Sequence, residues 1–244
     1  MTMCSGNLGD FANSLPVISG LSKFIGSRIN LILRNDTVKF NGIKEFLMYQ
    51  SCIDRVYFDN DPKIKDLSKI LHVREAGYIH QNNNNRPHVT RLIESWIKDT
   101  YKIPFEVDDA FELKIEDRTI DISNRYIIGD RSDKLSSDRR RSSNMIRHRA
   151  NPDESKVQYL DYSNSIMHNL NIIIKSSKPF ITTFTGIGVL ADLMNKETIV
   201  CWDEDIRIWP PENGHDIQYT FNRHHYADRK AKLLHVKDLL TELK

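Results

Sequence analysis

Three stretches of this 244-residue chain combine residue types that can hold or move charge. The first is residues 6–11, GNLGDF, where two glycines and an acid follow the short run 2–5 and precede apolar positions Phe11, Leu15, Ile18 and Leu21. That spacing is helical, so the stretch predicts a strand, a glycine turn and a helix. Such a turn gathers backbone amides and a helix start at one sheet edge, a place for a phosphate or a reacting group. Asp10 stands at the predicted helix entrance. Its carboxylate can accept a proton, and Asp is equally the residue type of an ordinary helix N-cap.

The second stretch is residues 183–194, TFTGIGVLADLM, in which a predicted strand runs into Thr185, Gly186 and Gly188 and then into a helix. The amides of that helix start, with the Thr185 hydroxyl, suit a diphosphate. Neither the glycine spacing of the dinucleotide fingerprint nor the lysine of a P-loop is present. A strand-to-helix turn that needs glycine only for packing would show the same residues. The third stretch, residues 129–149, holds seven Lys or Arg among 21 residues. Because it follows a predicted strand, Arg131, Lys134 and the Arg139–Arg141 run can meet phosphate oxygens, and a solvated basic loop is the other reading. The nine histidines, including His224 and His225, show no spacing of a zinc site, so no metal is assigned.

Regular alternation of elements must position these residues. After the first helix come RINLILR as a strand, a helix around IKEFLMYQ and a strand at IDRVYFDN. Strands separated by helices predict a parallel sheet with crossovers. HQNNNNRP reads as an exposed loop, and residues 88–101 as an amphipathic helix with Val89, Leu92, Ile93, Trp96 and Ile97 on one face. From 103 to 124 the helical signal stops and charge density rises, which predicts a connection, with the boundary at 115–124. The alternation then restarts: RYIIGDRS, VQYLDYS, KPFITTFTGIG and ETIVCWDE as strands, NSIMHNLNIIIKSS and VLADLMNK as helices, and RKAKLLHVKDLLTELK as a closing helix. The expected fold class is α/β, with domains over 1–118 and 119–228 and the helix 229–244 packing back on the first domain. Ligands of open α/β sheets bind at the carboxyl ends of strands, so both domains are expected to face one cleft.

Composition sets the outer limits. Hydrophobic residues at 39% and charged residues at 28% describe an ordinary soluble protein, and no apolar run approaches the roughly 18–20 residues of a membrane span. With no basic segment followed by an apolar one at the start, a secretory signal is not expected and a cytoplasmic location is. Cys4, Cys52 and Cys201 are odd in number and widely spaced, which argues for buried thiols over a disulfide framework. A net charge of +2 neither demands nor excludes a polyanionic partner.

In this order the pieces resemble the heptosyltransferase-type family of glycosyltransferases. GNLGDFANSLPVISGLSKFIGSRINLILR is similar to the family's opening strand, Gly-Asp turn, helix with a Leu-Pro pair and second strand. VKFNGIKEFLMYQSCIDRVYFD, HVTRLIESWIKDTYKIPFEVDDAFELKIED and SSKPFITTFTGIGVLADLMNKETIVCW resemble later segments, the last being the strand, donor turn, helix and strand of the second domain. The resemblance implies the GT-B fold, two facing Rossmann-like domains, and metal-independent glycosyl transfer from a nucleotide-sugar donor, a co-substrate, with no further cofactor. It assigns Asp10 as general base, and places donor phosphates on Gly9, Arg131, Arg139, Arg140, Thr185, Gly186 and Ile187. Phe184 stands where the family often has an acid, and Val189 where it often has a histidine. The acceptor implied first is a glycan or lipopolysaccharide. The basic run keeps a second acceptor open, a hydroxymethylated base of phage DNA, and a non-catalytic nucleotide- or nucleic-acid-binding module is the third reading.

Overall fold

Short β-branched and apolar runs become strands of two parallel sheets in the computed structural model, which describes residues 2–4, 8–34, 40–64, 71–73, 89–120, 122, 124–130, 145–183, 185–202 and 231–243. The chain divides into two compact units, Met1–Glu116 and Asp117–Lys244. No helix among the described residues is long and apolar enough to cross a membrane.

The first unit runs β1 (Thr2–Cys4), α1 (Leu8–Ile25), β2 (Ile29–Leu33), α2 (Ile43–Met48), β3 (Ile53–Phe58), β4 (Leu71–His72) and α3 (Val89–Tyr101). Its sheet has the order β3-β2-β1-β4 with every pair parallel. Ile29, Leu31, Ile32 and Leu33 are all buried, as expected of a strand covered on both faces. Helix α1 is buried from Phe11 to Leu21 on every side. It ends at Gly26, whose φ of +66° is a left-handed conformation suited to glycine, with Ser27 N donating to Ser22 O at 3.2 Å.

The segment expected as a connection is instead part of this unit's core. Residues 102–116 run without helix or strand, yet Phe105, Val107 and Leu113 are buried. Gln50, itself buried, binds both backbone groups of Lys114, donating to its carbonyl at 2.9 Å and accepting from its amide at 3.0 Å. Asp108 accepts from Ser19 Oγ at 2.5 Å and pairs with Lys23 Nζ at 2.7 Å, while its amide donates to Pro16 O at 3.1 Å. Gly20 makes this approach possible, since a Cβ there would stand 2.1 Å from Glu106 O. Charge density rises here because these acids answer bases on the helices: Glu106 pairs with Lys98 at 3.0 Å and Asp109 with Arg91 at 2.5 Å, while Glu94 of α3 accepts from the Val107 amide at 3.2 Å.

The second unit runs β5 (Tyr126–Gly129), α4 (Met145–Arg149), β6 (Val157–Tyr159), α5 (Ile166–Lys175), β7 (Phe180–Thr182), α6 (Gly186–Leu193), β8 (Thr198–Trp202), β9 (Lys232–His235), a 3-10 turn (Val236–Asp238) and α7 (Leu239–Glu242). The strand order is β6-β5-β7-β8-β9, again all parallel. Counted from the unit's first strand this is 2-1-3-4-5, a doubly wound order in which the chain leaves β5 to either side. Ile128, Ile181, Ile199 and Cys201 share one core cluster with Ile146, Val236, Leu239 and Leu243.

The closing segment differs from expectation. Residues 232–235 are a strand paired with β8, and Val236, Leu239 and Leu243 pack into the second unit's own core. Its apolar spacing suits a helix, but an open sheet edge beside β8 gives a strand a ladder of backbone bonds that a helix would leave unmade. Cys52 and Cys201 are free and buried, and burial pushes the Cys52 thiol up to about 11, so it stays protonated and unreactive at neutral pH.

Candidate functional site

The carboxyl edge of the second sheet is built by a chain of hydroxyls. Strand β7 ends at Thr182, and α6 starts at Gly186 after an extended Thr185. Thr185 Oγ1 accepts from the Gly188 amide at 3.3 Å, the geometry of an N-cap. Thr182 Oγ1 donates to Gly129 O at 2.8 Å and lies 2.8 Å from Thr185 Oγ1. Each hydroxyl has one proton, so with Thr182 committed to Gly129 it is Thr185 that donates to Thr182. The relay Gly188 N to Thr185 to Thr182 to Gly129 O ties the start of α6 to the end of β5.

Helix α6 begins three residues earlier than the pattern VLADLMNK indicates, so Gly186 and Ile187 are its first turn and not a preceding loop. Helix geometry leaves their amides without intrahelical carbonyls, which is the feature an anion uses. The Ile187 side chain is buried at 2% exposure, so only its backbone can serve a ligand. Gly186 and Thr185 are partly exposed.

Three residues that sequence reasoning passed over stand at the same edge. Asp130 directly follows β5, is 4% exposed, and accepts from the Arg147 amide at 3.1 Å. The Tyr162 hydroxyl is enclosed and neighbours Thr185. Burial first, and the Asp130 charge second, push this phenol well above its ordinary range, with the neighbouring Thr185 opposing them. Thr183 is 4% exposed, and its Oγ1 has no hydrogen-bond partner among the described residues. Beside them Arg147 holds its guanidinium 4.0 Å above the Tyr159 ring, a cation–π contact. The one sequence signal for Asp130 is an acid immediately after a buried strand, masked by the arginines that follow it.

The edge is therefore of mixed character. Amides and the positive end of α6 attract an anion, whereas the Asp130 carboxyl, bonded to the Arg147 amide, places an acid at the same edge. The switch point between β5 and β7, where connections depart in opposite directions, is where ligands of such sheets sit.

Of the residues singled out in the sequence, Thr185, Gly186 and Ile187 come together at this edge. Gly9 and Asp10 lie in the first turn of α1, Asp10 as the third helical residue and so inside the helix instead of at an N-cap. Gly9 O accepts from Asn13 Nδ2 at 3.0 Å. Arg131, Lys134, Arg139, Arg140 and Arg141 lie outside the described residues, as do Gly6, Phe184, His224 and His225. Comparison with protein-family models, with curated proteins and with solved structures finds no match to this chain.

Proposed function

We propose that this chain is a glycosyltransferase of the GT-B kind that moves a sugar from a nucleotide-sugar donor to an acceptor hydroxyl, with a glycan as the favoured acceptor. The observation that carries the reading is the start of α6, fixed by the Thr185–Thr182–Gly129 relay at the switch point of a doubly wound sheet. The donor diphosphate would rest on the amides of Gly186 and Ile187, joined by Arg131, Arg139 and Arg140. As the bond to the anomeric carbon breaks, negative charge gathers on the leaving diphosphate, and donors already held in place stabilise it without reorganising. Asp10 would take the proton of the attacking hydroxyl. It stands in the first turn of α1, and a base there would have to be ionised to take that proton.

Two variants test the two roles separately. Gly186→Asp puts bulk and negative charge on the anion site and is expected to abolish nucleotide binding, measured by calorimetry against a panel of nucleoside diphosphates. Asp10→Asn keeps shape and is expected to retain donor binding while lowering transfer by about 100-fold or more, the range of general-base catalysis. Undiminished binding in the first, or parental transfer in the second, overturns the corresponding assignment. Tight nucleotide binding with no transfer to any glycan or DNA acceptor would identify a binding module instead.

A further inference from the structure

Large apolar side chains of the first unit stand in solvent at one edge of its sheet. Among the described residues the exposed large hydrophobics are Phe24, Ile25, Met48, Tyr49 and Tyr101, with only Leu240 coming from the second unit. Phe24 and Ile25 end α1, Met48 ends α2 with Tyr49 as its C-cap, and Tyr101 ends α3. A helix that joins two parallel strands runs back against them, so α1 and α2 both finish where strands begin, at the amino edge. The loops after them adjoin there, Ile29 N donating to Cys52 O at 2.8 Å and Arg28 to Ile53 O. Helix α3 runs beside α1 in the same direction. Thr90 Oγ1 donates to Asn13 O at 3.3 Å, and farther on Glu106, paired with Lys98 at 3.0 Å, sets its carbonyl against Gly20. Tyr101 and Phe24 are the same 77 residues apart as Thr90 and Asn13, so at an equal rise per residue the two helices end level.

Scattered singly, such residues need no explanation, but three helix ends brought to one edge make a patch. Aromatic rings, a methionine and the neighbouring Arg28 are the residue types enriched at the centre of protein interfaces. At 36–54% exposure the five side chains leave roughly 400 Å² in water, about half of the roughly 800 Å² that one partner gives to a standard interface. The charges around them decide what covers the patch. Lys23 answers Asp108 at 2.7 Å, Lys98 answers Glu106, Arg55 answers Asp54 at 3.8 Å, and Lys102 and Asp99 add one exposed charge of each sign. Anionic lipid and nucleic acid draw on bases in excess, and this rim balances its bases with acids. In a two-fold contact the same patch stands on both sides, so a rim of one sign repels itself, whereas a rim of both signs can pair with its copy.

We infer that the amino edge of the first sheet is the interface at which two copies of this chain associate about a two-fold axis, with Phe24, Ile25, Met48, Tyr49 and Tyr101 as its apolar centre. Helix α1 begins at the opposite edge of the same sheet, so the contact lies away from Asp10. The inference does not depend on the transferase reading, and it would hold equally for a binding module.

Sedimentation equilibrium of the full chain over a range of concentrations is the test. The parent is expected to show twice the chain mass at micromolar concentration and to dissociate on dilution. Ile25→Glu and Met48→Glu each bring a charge to the apolar centre from both copies at once, and each is expected to weaken the dimer by about 100-fold or more. Leu240→Glu, outside the patch, is expected to leave it unchanged. All three side chains are exposed, so the circular dichroism spectrum should match that of the parent. Hydrogen exchange on the parent needs no variant: the amides of residues 24–28, 48–52 and 101–102 are expected to gain protection as concentration rises. A parent that stays monomeric throughout overturns the interface, as does a dimer that survives both substitutions or is protected only elsewhere. A monomeric parent that binds vesicles of anionic lipid, and loses that binding in Ile25→Glu, would assign the edge to a membrane and overturn the second copy as its occupant.

Discussion

Helices α1 and α6 both open at the carboxyl edge of a parallel sheet, yet they are anchored at different places. Helix α6 is fixed at its first turn, where Thr185 caps Gly188 and the relay through Thr182 reaches the neighbouring strand. Helix α1 is fixed in its middle and last turns, where the 102–116 segment lies against Pro16, Ser19, Gly20 and Lys23. The difference follows from what each opening offers. The bonds that immobilise the first turn of α6 come from Thr185 and Thr182 behind it, which is the arrangement that the proposed anion site would need. The position of α1 is set instead from farther along the chain.

That contrast can be broken from either side, and the largest effect is expected at Gly20. Gly20→Ala drives a Cβ into Glu106 O and should lower stability by about 3 kcal/mol, the upper range for overpacking, read from denaturant unfolding. Gly26→Ala, in open space but at positive φ, should cost only about 1 kcal/mol. For α6 the corresponding change is Thr185→Ala, expected to cost about 1–2 kcal/mol as the cap and the bond to Thr182 are lost together.

A pH titration sharpens the comparison further. Burial raises the Asp108 pKa, but Lys23 and Ser19 together outweigh it and hold the carboxyl below its ordinary range, and Glu94 is lowered in the same way by Arg91 and Lys98. Groups depressed on folding contribute stability that is present above their unfolded pKa values, near 3.8 and 4.5, and lost as pH falls through the lower folded ones. The first unit should therefore lose stability below about pH 4, and Asp108→Asn should flatten that acid limb. The smallest effect is expected at Asp10, where Asn removes only a charge from the first turn of α1 and should change stability by about 0.5 kcal/mol, read from denaturant unfolding.

The strands and longer helices were legible because their patterns are local: Ile29–Leu33 is a β-branched run, and Phe11, Leu15, Ile18 and Leu21 repeat at helical spacing. What misled depended on distant partners. Residues 104–116 look like a charged connection until Asp108 is seen beside Ser19 and Lys23, and Phe105 and Val107 inside the core. Residues 232–243 carry leucines at spacings that fit a helix, and only the exposed edge of β8 makes the first four a strand. At the site, Thr185 and Gly186 were visible as a turn signal with capping chemistry. Asp130, Tyr162 and Thr183 were not, because they come from three separate connections and only the sheet order brings them to one edge. Helix α4, five residues long, is too short to show a period at all.

The bond between Ser19 and Asp108 spans 89 residues of chain. A ribosome adding roughly 5–20 residues per second would need about 4–18 seconds to make that stretch. For that interval the nascent first unit carries a helix whose central turns lack their cover, and chaperones or neighbouring chains meet it in that state. Substitutions that weaken the covering segment should accordingly reduce the yield of folded protein made in cells more than they reduce the stability of molecules already folded.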